Sequence, residues 1–127
     1  MTLDATNKKI LIFTATYNEA GNISEFINSI FNNNNNIDLL IIDDNSPDNT
    51  ANIIKELKKK FSQINLIIRQ GKLGLDTAHK EAYKYAIKNN FDYLITMDAD
   101  LSHDPKEISN FIANLNEYPF VIGSRYM

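Results

Sequence analysis

The 127-residue sequence contains no cysteine. Disulfides and thiolate metal sites are thereby excluded, and any metal must be held by oxygen or by one of the two histidines. Long apolar runs are also missing. The start "MTLDATNKK" is too polar for a signal peptide, and no segment approaches the ~18 apolar residues of a membrane span. Nor is there an excess of positive charge. Thirteen Lys and Arg stand against sixteen Asp and Glu, for a net charge of -3 and a pI near 5.3, and the lysines are scattered apart from Lys58, Lys59 and Lys60. No electrostatic footprint for nucleic acid results, and none is expected as a partner. Low complexity is confined to "NNNNN" at 32–36, expected to be a frayed helix end and loop because asparagine suits helix interiors poorly. The remaining composition, 43% hydrophobic and 23% charged, suits one folded domain with one core.

Apolar and β-branched runs alternate along the chain with helical periodicities. Strands are expected at 8–15, 37–43, 64–69, 91–97 and 120–124. Between the first two, Ile23, Phe26, Ile27, Ile30 and Phe31 fall on one helical face, with Asn22 and Glu25 spaced as a capping box. A second helix follows with Ile53, Ile54, Leu57 and Phe61 inward and Pro47 in its first turn. A third buries Ala78, Ala82, Tyr85 and Ala86. A fourth buries Ile108, Phe111, Ile112 and Leu115, with Asp104 as N-cap, Pro105 at N1 and Glu107 at N3. This alternation predicts an α/β fold, an open and mainly parallel Rossmann-like sheet with helices on both faces.

In such a sheet, ligands sit beyond the carboxyl ends of the strands. Four polar turns should meet there: "TYNE" (16–19), "DDNSPD" (43–48), "QGKLGLD" (70–76) and "DADLSHD" (98–104). In extended backbone, Asp98 and Asp100 would project to one side, with Ala99 pointing away. Two crowded carboxylates repel unless a cation lies between them, which predicts a hard divalent ion, Mg²⁺ or Mn²⁺, and with it a phosphate-bearing ligand. His103 could extend that site or be a solvated loop residue. Asp43 and Asp44 are adjacent, so one can join a shared pocket while the other anchors the turn with Asn45 and Ser46. Glu19 is placed to bind a base or ribose. Tyr17 offers either a stacking face or core packing. Lys72, between Gly71 and Gly74, is either a phosphate contact or an exposed turn residue, and Arg125 in "GSRY" offers a fixed fork for a diphosphate or sugar.

The segments "TYNEAGNI", "IIDDNSPDNTA", "KLGLDTAHKEA", "MDADLSHDP" and "IGSRY", in that order, closely resemble family 2 glycosyltransferases of the GT-A fold, and among them the dolichol-phosphate or polyprenyl-phosphate mannosyltransferases. The resemblance implies that Tyr17, Glu19, Ile42 and Asp44 line a nucleotide pocket, that Ala99 and Arg125 contact the donor, and that Asp98, Asp100 and Ser102 form the metal site. Three positions depart from the family pattern. Ala15, in the donor-binding set, stands where proline is usual; Asp76 and Asn49 each stand where glycine is usual. The chain ends at Met127, about half the span of such a catalytic domain. It is therefore expected to be the nucleotide-sugar-binding part of a domain truncated at its C-terminus.

The resemblance implies a metal-dependent, inverting transfer from a nucleotide-diphosphate sugar, GDP-mannose or a UDP-sugar, to a polyprenyl phosphate. An anionic phosphate acceptor requires no strong general base. The expected location is cytoplasmic, with a peripheral place on the cytoplasmic membrane face, or on a membrane-anchoring partner, as the alternative. Two rival readings are a non-catalytic nucleotide-sugar-binding or assembly module and a receiver-like Mg²⁺-binding signalling domain. Against the second, the first turn holds only Glu19 and the third strand runs into Arg69.

Overall fold

The computed structural model describes residues 9–33, 37–70, 74–99 and 122–123. Its elements are β1 (Ile10–Thr16), α1 (Ile23–Asn33), β2 (Ile37–Asp43), α2 (Thr50–Lys60), β3 (Ile64–Ile68), α3 (Leu75–Lys88), β4 (Tyr93–Thr96) and β5 (Ile122–Gly123). All strand pairs are parallel, in the order β3-β2-β1-β4-β5. The expected open parallel α/β sheet is therefore what forms. The chain steps outward from β1 to β3, then returns to the far side of β1 for β4, so the strand order reverses between β1 and β4. A receiver-like domain has the order 2-1-3-4-5 instead.

Strand alternation divides the core between the two faces. Ile10 and Ile12 of β1, Leu39 and Ile41 of β2 and Ile95 of β4 bury against Ile23, Phe26, Ile27 and Ile30 of α1 and Ile54 of α2. Phe31 stacks on Phe61 at a centroid distance of 4.8 Å, joining α1 to the end of α2. On the other face Leu11, Phe13, Leu40, Ile42 and Leu94 meet Ala78, Ala82 and Ala86 of α3. These alanines let α3 lie close to the sheet, and His79 sits edge-on to Phe13 at the boundary of that layer.

Several element boundaries differ from the sequence expectation: the first strand is Ile10–Thr16 rather than 8–15, the fourth ends at Thr96 rather than residue 97, and others shift as follows. The fourth strand starts at Tyr93 rather than residue 91 because Phe91 is engaged in closing α3. Asn90 adopts φ 60°, the Asn90 N–H donates to Ile87 O and the Phe91 N–H donates to Ala86 O, a Schellman ending with Phe91 stacked near Tyr85. The third strand ends at Ile68, leaving Arg69 beyond it. Pro47 is not in the first turn of α2. That helix begins at Thr50, after Asn49 in the left-handed region (φ 76°), which Asn tolerates better than most residues and which accounts for Asn replacing glycine there. The residues of the expected fourth helix, most of those of the expected fifth strand, and Asn34, Asn35 and Asn36 lie outside the described residues.

The central strand carries the stability of this arrangement. Ile12 is fully buried, so Ile12→Ala is expected to cost about 2–5 kcal/mol in urea unfolding. Ile87→Ala, at a position 77% exposed, should stay within about 0.5 kcal/mol of wild type. Comparable losses for the two would contradict this division of the core.

Candidate functional site

The first two strands run out together, with Thr16 opposite Asp43. Asp43 is fully buried, and its carboxylate is satisfied from both sides. Thr16 Oγ1 donates to Oδ1 at 2.6 Å, Ser46 Oγ donates to the same oxygen at 2.6 Å, and the Ser46 N–H donates to Oδ2 at 2.9 Å. Burial of a carboxylate without such donors would be prohibitive. Of the adjacent acidic pair, Asp43 is thus the turn anchor that the sequence left unassigned.

The turn after β1 hangs from the turn after β2. Its successive N–H groups at Asn18, Glu19 and Ala20 donate to Ser46 Oγ (2.9 Å), Thr50 Oγ1 (3.1 Å) and Asp48 Oδ2 (3.0 Å). Ser46 and Thr50 relay the interaction, their hydroxyls donating to Asp43 and Asp48. The Thr50 hydroxyl chiefly holds the Asp48 carboxyl below its ordinary value of 3.8, with help from the Ala20 and Thr50 amides. Asn18 and Asn45 make these bends at φ 59° and 57°. The Glu19 carbonyl in turn accepts the N–H groups of Asn22 and Ile23 at the start of α1.

Asp44 points to the α3 side. Arg69 grips it as a fork, Nε to Oδ1 at 2.6 Å and Nη2 to Oδ2 at 2.9 Å. The two side chains are only 5% and 11% exposed. The same guanidinium donates to Thr77 Oγ1 at 2.8 Å and to Gly74 O at 3.0 Å, and its Nη1 lies 3.8 Å from Glu81 Oε1. Gly74 precedes α3 at φ 98°, a backbone conformation that favours glycine. Removing one partner of a buried pair of this kind typically costs about 3–5 kcal/mol.

The other expected site residues are distributed as follows. Tyr17 is 39% exposed at the turn after β1, on the surface rather than in the core. Glu19 and Ala15 are half-buried, and Ala15 packs against the α3-side core. Ile42 is fully buried in that same core, beneath the edge. The Thr96–Phe13 pair is the last of the β4–β1 register, and the Met97 N–H still donates to Phe13 O. Asp98, half-buried, follows two residues beyond the end of β4. The chain then turns at Ala99 rather than continuing extended, and the Ala99 methyl is buried in the α1/α2-side core. Lys72, Asp100, Ser102, His103, Asp104 and Arg125 lie outside the described residues.

Tyr17, Glu19, Asp44 and Asp98 therefore stand at the carboxyl ends of three neighbouring strands, where the strand order reverses. Two strand spacings put β2 and β4 about 10 Å apart, so a ligand touching both Asp44 and Asp98 must lie across β1. Among the described residues, no group of three or more potential metal ligands converges. The expected set of Asp98, Asp100 and Ser102 offers only hard oxygen donors, chemistry that suits Mg²⁺ or Mn²⁺. An apolar groove of about 360 Å³, lined by Ala86, Ile87, Phe91 and Leu94 among others, lies between the end of α3 and the start of β4. That is the opposite edge of the sheet, so the groove takes no part in this site. Among the described helices, none is long and apolar enough to cross a membrane.

Reasoning from the sequence did not single out Thr16, Asp48 or Thr50 as site-building residues, and it used Arg69 only to argue against a receiver. An arginine directly after an apolar strand was the available signal, since such a charge needs a partner.

Comparison with known proteins gives a consistent family. The profile described as "Glycosyl transferase family 2" matches residues 11–127. A polyprenol monophosphomannose synthase from Mycolicibacterium smegmatis is 29% identical over 122 residues, covering 94% of this chain and 46% of that protein. A dolichol-phosphate mannosyltransferase from Pyrococcus furiosus is 34% identical over 122 residues, covering 94% of this chain and 34% of that protein. The chain thus spans less than half the length of these curated relatives. In structure it is similar to a mannosyltransferase from Pyrobaculum calidifontis in complex with GDP-Man and Mn²⁺, with a TM-score of 0.73 at 21% identity, over 88% of this chain and 34% of that one.

Asp43→Asn would replace one acceptor oxygen with an NH₂ group facing either the two hydroxyls or the Ser46 N–H. It is expected to lower stability by about 1–3 kcal/mol in denaturant unfolding. Exposed Asp76→Asn should change it by less than about 0.5 kcal/mol. Equal effects would contradict the anchoring role of Asp43.

Proposed function

We propose, from the fact that the chain belongs to glycosyl transferase family 2, that it serves the transfer of a sugar from a nucleotide-diphosphate sugar and forms the donor-binding part of the catalytic domain. The observation that carries this reading is the placement of Tyr17, Glu19, Asp44 and Asp98 across the carboxyl ends of β1, β2 and β4, where the strand order reverses. A nucleoside lies over the β2 side, with Asp44 and Glu19 accepting its hydrogen bonds, Tyr17 as a stacking face and Ile42 as the floor beneath. The diphosphate lies toward Asp98, with Lys72 and Arg125 supplying positive charge. Because the Ala99 methyl is buried, its donor contact runs through the backbone.

Asp98, Asp100 and Ser102 would hold Mg²⁺ or Mn²⁺, which when bound offsets the charge gathering on the departing diphosphate. Mannose as the sugar and a polyprenyl phosphate as acceptor are supported by the names of the relatives, and GDP-mannose as donor by the similar structure in complex with GDP-Man. In the transfer, an acceptor phosphate oxygen bonds to the anomeric carbon as the bond to the diphosphate oxygen breaks on the opposite face, inverting the configuration. The acceptor oxygen is already anionic near neutral pH, so no strong base need be supplied.

In calorimetry on the whole protein, GDP-mannose binding should strengthen when Mn²⁺ is added, and Asp98→Asn should abolish that increment. An unchanged Mn²⁺-dependent increment in the variant would sink the assignment.

A further inference from the structure

We infer that Thr50 and Asp48 are positioning residues for the nucleoside end of the site, acting through the backbone of the turn that carries Tyr17 and Glu19. The inference rests on the proposed contact of those two side chains with the nucleoside. Both residues lie beyond the last residue of β1 and ahead of α1, so their placement depends on the turn itself. Three successive N–H groups of that turn, at Asn18, Glu19 and Ala20, donate to side chains that follow β2.

Thr50 is the centre of this row. Its hydroxyl accepts the Glu19 N–H at 3.1 Å and donates to Asp48 Oδ1. An ionised carboxylate can only accept, so both directions are determined: the Thr50 proton faces Asp48 and its lone pairs face the Glu19 amide. Asp48 in turn collects the Ala20 N–H on Oδ2 at 3.0 Å and the Thr50 N–H on Oδ1 at 3.2 Å. The last of these bonds substitutes for a cap on α2, because the N-cap residue Asn49 makes no side-chain cap bond. Thr50 is fully buried, so its hydroxyl cannot exchange these partners for water.

The same junction starts α1. Glu19 O accepts the Asn22 N–H at 3.0 Å and the Ile23 N–H at 2.9 Å. Glu19 is therefore held at its amide by the first residue of α2 and at its carbonyl by the start of α1. Both helices are anchored on the sheet, α1 through Ile23 and Ile27 and α2 through Ile54. The turn thus takes its geometry from the packed α1/α2 layer. A backbone pinned in this way presents Tyr17 and Glu19 in one arrangement, and little conformational freedom is left to lose when a nucleoside binds.

Calorimetry on the whole protein tests this, with GDP and UDP titrated in the presence and absence of Mn²⁺. Thr50→Val keeps the shape of the side chain but deletes both hydroxyl bonds, and should weaken the nucleotide that wild type binds by about tenfold, within the coupling range of contacting groups. Because the loss arises at the nucleoside end, the strengthening by Mn²⁺ should stay within about twofold of wild type, as for sites that share no partner. Thr50→Ser retains the hydroxyl and should bind within about twofold of wild type. Should Thr50→Val fail to fold, Asp48→Asn at a half-buried position supplies the same readout, with an expected loss of about three- to tenfold. Wild-type affinity in both Thr50→Val and Asp48→Asn, an equal loss in Thr50→Ser and Thr50→Val, or a loss confined to the Mn²⁺-dependent increment would overturn the inference while leaving the nucleotide site intact. Failure of wild type to bind either nucleotide, or wild-type affinity in both Tyr17→Ala and Glu19→Ala, would overturn the functional reading and this inference with it.

Discussion

Two neighbouring carboxylates, both buried, end the second strand of this sheet, and the polar edge is organised around satisfying them separately. Adjacent residues in a strand face opposite ways, so Asp43 and Asp44 cannot share donors. Asp43 is answered by hydroxyls and an amide from Thr16 and Ser46, Asp44 by the guanidinium of Arg69. The first solution fixes the turn after β1 through Ser46, Asp48 and Thr50. The second fixes the beginning of α3 through Gly74 and Thr77. Neither is a large stabiliser in isolation, because burying charge costs much of what pairing returns. Their effect is to define the positions of groups at the edge.

This division of labour explains how the carboxyl edge of the sheet is kept ordered with so little apolar support. The core lies lower, between the sheet and α1, α2 and α3, and the edge is built almost entirely from hydrogen bonds. Three asparagines in left-handed backbone, Asn18, Asn45 and Asn49, carry bends at which glycine would be the common alternative. With only four glycines in the chain, asparagine performs that task at lower conformational entropy in the unfolded state.

Much of this was legible in the sequence, and the physical reasons for success and failure are specific. Strand and helix identities followed from β-branched runs and from apolar spacing such as Ile23, Phe26, Ile27 and Ile30, because the helices bury one face and the central strands both. The gathering of the turns after β1, β2 and β4 at one edge followed from the parallel order of the sheet. What could not be read were contacts between residues far apart in sequence. Arg69 pairs with Asp44 across 25 positions, and Ala20 with Asp48 across 28. Local periodicity carries no information about such pairs. Boundaries failed where a cap displaced an element, as when Phe91 was taken by the closure of α3 and Pro47 was left ahead of α2. Ala99 shows the limit of alternation, since the backbone turns there before the period can be carried to Asp100.

The central claim is that a metal–diphosphate complex sits at the carboxyl edge of β1, β2 and β4. Seven-residue strands such as β1 put the two edges of the sheet about 20 Å apart, far enough for a paramagnetic ion to distinguish them. The direct measurement is paramagnetic broadening of backbone amides on adding Mn²⁺ together with GDP-mannose. Broadening should be strongest at residues 16–19, 44–46 and 97–99, with Lys9, Gln63 and Asp92 least affected. Equal broadening at both edges, or broadening centred on Lys9 and Asp92, would contradict the account.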